Sequence, residues 1–250
     1  MRKGLGALAA VLLTPAAALA AGGHEVFSWF NLLGLHLPQY MLSAIMIAIL
    51  LVAVSLLAFG GKKTDELVVP EPRFTLRNLL ELILSFLVGL AEDIIGHKAK
   101  QYVPLLATCF IFILFMNLLG LIPGFVPPTD QMNITVGLAV VIFLSTHYFG
   151  VREHGIAYFK HFLGPVWWLS PLIFIIELIG HLARILSLSI RLFGNITGHE
   201  LVLGILFLLA GAFFAPLPIM ALGIFVALLQ AFVFLLLSII YFSGAMEHAH

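Results

Sequence analysis

A chain of 250 residues that is 62% hydrophobic and only 10% charged is not a soluble globular domain, where about a quarter of the residues carry charge. A formal net charge of zero leaves no basic field for nucleic acid, and a single cysteine rules out an internal disulfide or a cysteine metal cluster. That cysteine, Cys109, lies inside an apolar run and reads as a small core residue. With a mean hydropathy of +1.15, the composition describes an all-α polytopic membrane protein.

The first element is MRKGLGALAAVLLTPAAALA, residues 1–20. Arg2 and Lys3 lead an apolar stretch, and Ala18-Leu19-Ala20 supplies a small-residue cleavage pattern. This is a signal peptide or an uncleaved N-terminal anchor. Either places residue 21 at the outer face of a bacterial inner membrane, with 21–250 as one membrane domain. A charge-free run then predicts a span at about 40–60, close to the ~20 residues needed to cross a hydrocarbon core.

Residues 74–95 have a different character. Leu76, Leu79, Leu80, Ile83, Leu87, Leu90 and Ile94 keep helical spacing, while Arg77, Asn78, Glu81, Ser85, Glu92 and Asp93 gather opposite. That pattern predicts an amphipathic helix on the membrane surface, serving as support. Two further charge-free runs predict spans near 102–122 and 134–150, joined by the proline- and glycine-rich loop GFVPPTDQMN.

The last hundred residues pose a question at RLFGNITGHE, residues 191–200. Hydropathy alone makes it a polar loop between two spans, but the following piece, 201–215, is too short for the usual ~17–25 residues. No proline interrupts between Pro171 and Pro216. The reading is therefore one long, tilted helix over about 168–212, a turn, and a second helix over about 219–243. Eight of the twelve Lys and Arg residues fall in two segments, 62–100 and 152–160. The positive-inside rule makes both cytoplasmic, which puts the mature N-terminus outside and the C-terminus inside.

Read as helix, that region carries a polar stripe: Glu177, His181, Arg184, Ser187, Arg191, Asn195 and Gly198. Glu200 is nine positions from Arg191, about half a turn round. Arg191 is the informative residue, because a guanidinium cannot shed its charge to enter lipid. Its cost near the bilayer centre runs from ~3 kcal/mol on insertion scales to ~10 in simulations, against ~5–15 kcal/mol for the whole stability of a soluble domain. Something must meet it. The final helix offers only Gln230, Ser238 and Tyr241, so the counter-charge is expected on another subunit. Glu177 and Glu200 can bind and release protons on either side of it, which suggests two proton paths separated by a fixed positive charge.

SLSIRLFGNITGHEL followed by LLQAFVFLLLSIIYF resembles the paired membrane helices of subunit a of the F-type ATP synthase. FMNLLGLIPG, the PPTDQMNIT loop and GHKAK resemble that family too, so the likeness covers most of the chain beyond about residue 70. It implies a stator subunit, not catalytic on its own, that needs no cofactor or metal. Its partners would be a ring of c subunits bearing membrane-embedded carboxylates, the peripheral-stalk subunit b and the rest of the synthase. Carried over by motif, Arg191 is the essential arginine and Asn195 its neighbour. Glu200 belongs to the outer half-channel, Glu177 and Ser187 to the cytoplasmic one, and Gln230 sits opposite Arg191. Some members pair the Glu200 position with a titratable residue at what is here Gly223; His199 is the candidate substitute.

Three rival readings can be told apart by residues. An unrelated channel or secondary transporter often shows internal repeats, and none is found here. An intramembrane metalloprotease would need H-E-x-x-H, but His199-Glu200 is followed by Leu203 at the closing position. An assembly scaffold would leave the polar stripe costly and idle.

Overall fold

The computed structural model describes residues 38–60, 75–122, 125–155, 158, 168–210 and 216–246. The segment 1–20, the turn after the last residue of the long helix and the tail 247–250 lie outside them. Among the described residues every regular element is helical. The helices are α1 (Gln39–Phe59), α2 (Leu76–Ile95), α3 (Val103–Leu119), α4 (Met132–His154), α5 (Ser170–Ala210) and α6 (Pro216–Met246). Short 3-10 turns at His97–Gln101 and Pro128–Asp130 precede α3 and α4.

Helices α1, α4, α5 and α6 contain runs long and apolar enough to cross a membrane, while α3, with 17 residues, is shorter. The expected span 102–122 is cut at Leu119 because the chain turns at Gly120 and Leu121. Apolar on every side, α3 serves as the core helix. Its Leu106, Phe110, Ile113 and Met116 are buried with Phe234, Leu235 and Ile239 of α6 and Leu188 and Leu192 of α5. A ring cluster of Tyr102, Phe149 and Phe242, with centroids 4.7–5.7 Å apart, closes one end of this core.

Helix α2 begins where the Thr75 hydroxyl accepts a hydrogen bond from the Asn78 backbone N–H at 3.4 Å. It ends at Gly96, whose φ of 86° lets the chain swing directly into the lysine-bearing turn. The polar side differs from the periodic reading at one residue. Arg77 is turned inward, 3% exposed, because its Nε is satisfied by Glu81 at 2.6 Å one turn on. In compensation, Leu76, Leu79, Leu82 and Phe86 stay exposed. Phe86 meets Phe232, and the Ser243 hydroxyl donates to the Ile94 carbonyl, so α2 runs alongside α6.

The bundle has two chemically distinct ends. At the basic end Lys98 pairs with Glu153, Lys100 with Glu92 at 3.4 Å, and His154 Nε2 donates to the Met246 carbonyl at 3.2 Å. The hydrogen bond to Glu153 raises the Lys98 ammonium above its ordinary range. At the proline end, Pro127, Pro128 and Thr129 are buried within the loop before α4. Helix α5 joins the two ends. Its 41 residues at ~1.5 Å each reach about twice the ~30 Å of a hydrocarbon core, which requires a steep tilt.

Candidate ion path

The helix α5 continues unbroken through RLFGNITGHE, so every residue of the stripe is placed by one rigid rod. Its packed line runs through His181, Leu188, Leu192 and Ile196. At about 100° per residue, Arg184, Arg191 and Asn195 fall on one flank of that line and Thr197 and Glu200 on the other. The first flank borders α6. There the Arg184 guanidinium lies 5.5 Å over the Tyr241 ring, and Asn195 Nδ2 donates to Gln230 Oε1 at 2.5 Å. The second flank borders α4 and its loop, where the Ser189 and Thr135 hydroxyls meet at 3.1 Å and Thr197 Oγ1 donates to Asp130 at 2.5 Å.

These contacts sort the residues expected from sequence into three groups. The central group is Ser187, Arg191, Asn195 and Gln230. Arg191 is half-buried, and its Nη2 reaches the Ser187 hydroxyl at a long 3.4 Å. No carboxylate of the described residues lies within ion-pair distance of it. Its helical neighbours Ser187 and Gly194 are exposed, as is Ile190 at 52%. Gln230, buried at 1%, bonds Asn195 one turn along from the arginine.

The group toward the basic end is Glu177 with His181, joined at 3.3 Å. The group toward the proline end is His199 and Glu200. A Cβ on Gly223 would lie 2.5 Å from His199 Nε2 and 2.5 Å from Leu121 Cδ2, so α6 presents a notch that only glycine leaves open and the imidazole fills it. Glu200 is half-buried and interacts electrostatically with Asp130. Along the rod, Glu177 stands about 21 Å from the level of Arg191, and Glu200 about 13 Å beyond it. The two carboxylates are kept apart, with the arginine between them.

Two ionisable residues brought into this arrangement were not singled out from sequence. Asp130 is the only acidic residue between Asp93 and Glu153, which was a usable signal. His147 is an ionisable residue within the predicted 134–150 span, and its ring lies 4.8 Å from that of His181. Among the described residues no three His, Cys, Asp or Glu side chains are grouped to hold a metal ion.

Comparison with known proteins places the chain in a family. Residues 41–243 match the family described as ATP synthase A chain. The chain is 59% identical over 175 residues to ATP synthase subunit a of Desulfosudis oleivorans, covering 70% of this chain and 76% of that one. It is 53% identical over 175 residues to ATP synthase subunit a of Geobacter sulfurreducens, with the same coverage of 70% and 76%. With ATP synthase subunit a of Geotalea uraniireducens it shares 49% over 205 residues, 82% of this chain and 86% of the relative. The chain, an all-helical multi-pass membrane protein, belongs to the ATP synthase subunit a family.

Proposed function

We propose that this chain is the proton-translocating stator of an F-type ATP synthase in a bacterial inner membrane, not itself a catalyst. The observation that carries the reading is Arg191: a half-buried permanent cation on a continuous helix, with no carboxylate of the described residues within ion-pair distance to neutralise it. A carboxylate on a neighbouring rotor is the chemistry that answers it. Such a carboxylate stays ionised beside the guanidinium and takes a proton when it turns to face lipid, where desolvation penalises the anion. Rotation then requires a proton from one side and its release to the other.

The chain's own residues supply the two routes. Glu200, with Asp130, His199 and Thr197 around it, serves the outer half-channel at the proline end. Glu177 and Ser187 serve the cytoplasmic half-channel at the basic end, with lysines and Arg152 on the inner face and the C-terminus inside. Asn195 and Gln230 brace each other beside Arg191, fixing the α5–α6 seam against which the rotor moves. Arg191 also blocks a short circuit, since an excess proton crossing a fixed cation is repelled. Each proton falling through 100 mV contributes about 2.3 kcal/mol to rotation. The c-ring, the peripheral-stalk subunit b and the bilayer are the partners of this reading, with α2 a surface support.

Cysteine cross-linking in the assembled synthase tests it. With Cys109 replaced, single cysteines at Ser187, Ile190 and Gly194 should form disulfides with a cysteine placed near the rotor carboxylate, and cysteines at Leu188 and Leu192 should not. Cross-linking at the packed positions, or at none in an assembled complex, contradicts the reading.

A further inference from the structure

His147 and His181 sit on different helices, α4 and α5, with their rings in edge contact at 4.8 Å and 62°. Their polar atoms are specifically committed. His147 Nδ1 lies 2.8 Å from the Phe143 carbonyl, which can only accept, so Nδ1 carries the hydrogen and Nε2 keeps a lone pair. His181 Nε2 faces the Glu177 carboxylate. Both rings line a small pocket with Thr146, Arg184 and Tyr241 that has room for about one water. Tyr158 closes the cluster, its ring 5.9 Å from that of His147, and burial raises its phenol, so it stays protonated and takes no proton from its neighbours.

We propose that His147 and His181 form a two-imidazole relay that carries protons between the level of Arg191 and Glu177 through the pocket between α4 and α5. This rests on the reading above of α5 as the ion path and adds the inner route to Glu177. In the direction of proton release, His147 Nε2 takes a proton from the pocket water, keeping Nδ1–H on the Phe143 carbonyl throughout. It gives that proton from the same Nε2 to His181 Nδ1, and His181 gives its Nε2 proton to the Glu177 carboxylate. Glu177, nearest the basic end, releases the proton to the cytoplasm. No proton is created or lost, each imidazole ends neutral, and His181 regains its starting tautomer by turning its ring. The groups facing the pair are Glu177 and Arg184 from α5, Tyr241 from α6 and Tyr158. The two that hold a fixed charge or remain neutral, Arg184 and Tyr158, frame the relay without joining it.

Inverted membrane vesicles bearing the whole synthase expose this end to the medium and draw protons through it when ATP is hydrolysed. The variants keep the structural bonds. In His147→Asn the amide can still donate to the Phe143 carbonyl, and in His181→Gln the amide can still meet Glu177. Each should assemble, keep uncoupled ATP hydrolysis, and slow coupled pumping by about a hundredfold. Imidazole added to the medium should restore most of the loss. Glu177→Gln runs in parallel. If it slows pumping while both histidine variants pump normally, the relay is wrong and the inner half-channel stands. If all three pump normally, the half-channel reading fails with it. Should a variant not assemble, His147→Gln or His181→Asn replaces it, and normal pumping by that assembled variant overturns the relay.

Discussion

The two ends of α5 solve the same problem with different materials. Toward the proline end, ionisable groups are set by backbone and packing: His199 is wedged in the notch at Gly223, and Asp130 is tied to Thr197 from a buried proline loop. Toward the basic end they are set by one another, with Glu177, His181 and His147 in a chain of side-chain contacts around a pocket. Arg191 belongs to neither group. A tightly packed end tolerates little change in shape, a side-chain network tolerates shape but not loss of a proton site, and an isolated cation tolerates no change of chemistry.

The comparison can be broken in order of expected effect. The largest is Arg191→Lys, which keeps the charge yet should reduce ATP synthesis in membrane vesicles to background. An ammonium is a compact donor that can deprotonate when desolvated, whereas guanidinium cannot. Retained synthesis in an assembled complex would show that any cation suffices. Next is Glu200→Gln, expected to slow ATP-driven pumping severely while Glu200→Asp slows it far less. Equal, mild effects of both would remove Glu200 from the path and leave His199 and Asp130 as its better candidates.

Gly223→Ala should be intermediate. The added methyl meets both the His199 ring and Leu121, and overpacking of this kind costs about 1–3 kcal/mol. Pumping should fall severalfold with assembly reduced, and His199→Ala in the same chain should recover part of the assembly without recovering the rate. Recovery of both would make His199 a filler rather than a proton group. The smallest effect belongs to the exposed pair Lys98–Glu153. Because the hydrogen bond raises Lys98, its contribution is fully present below about pH 10.4 and is lost only as pH rises through the raised value. Lys98→Ala should therefore change the assembled level by less than about twofold, with no trend between about pH 6 and pH 9. A trend in that window would assign the pair a larger role.

Much of this was legible from sequence because α5 obeys one period. A fifteen-residue remainder too short to span, and the lack of proline between Pro171 and Pro216, were enough to keep Arg191–Glu200 helical. The three-and-four spacing then put Glu177, Ser187, Arg191 and Asn195 on one stripe. What the sequence could not supply was contact between distant segments. Asp130 meets Thr197 across 67 positions, and nothing in the PPTDQMN loop says which helix it touches. His199 and Gly223 match only once the α5–α6 register is known, although the missing side chain at Gly223 hinted at it. The inward turn of Arg77 escaped the periodic reading of α2 because an i,i+4 carboxylate can make a buried guanidinium acceptable.

The central claim is that Arg191 is a gate between two half-channels and not a structural ion pair. The most direct measurement is passive proton flux and ATP synthesis in vesicles carrying Arg191→Gln, with assembly of the complex checked on the same preparations. The gate predicts an assembled complex, no coupled synthesis, and a passive leak equal to or above wild type, because nothing then repels protons between the routes. Normal coupling in an assembled Arg191→Gln complex, or failure to assemble with no leak, would contradict it.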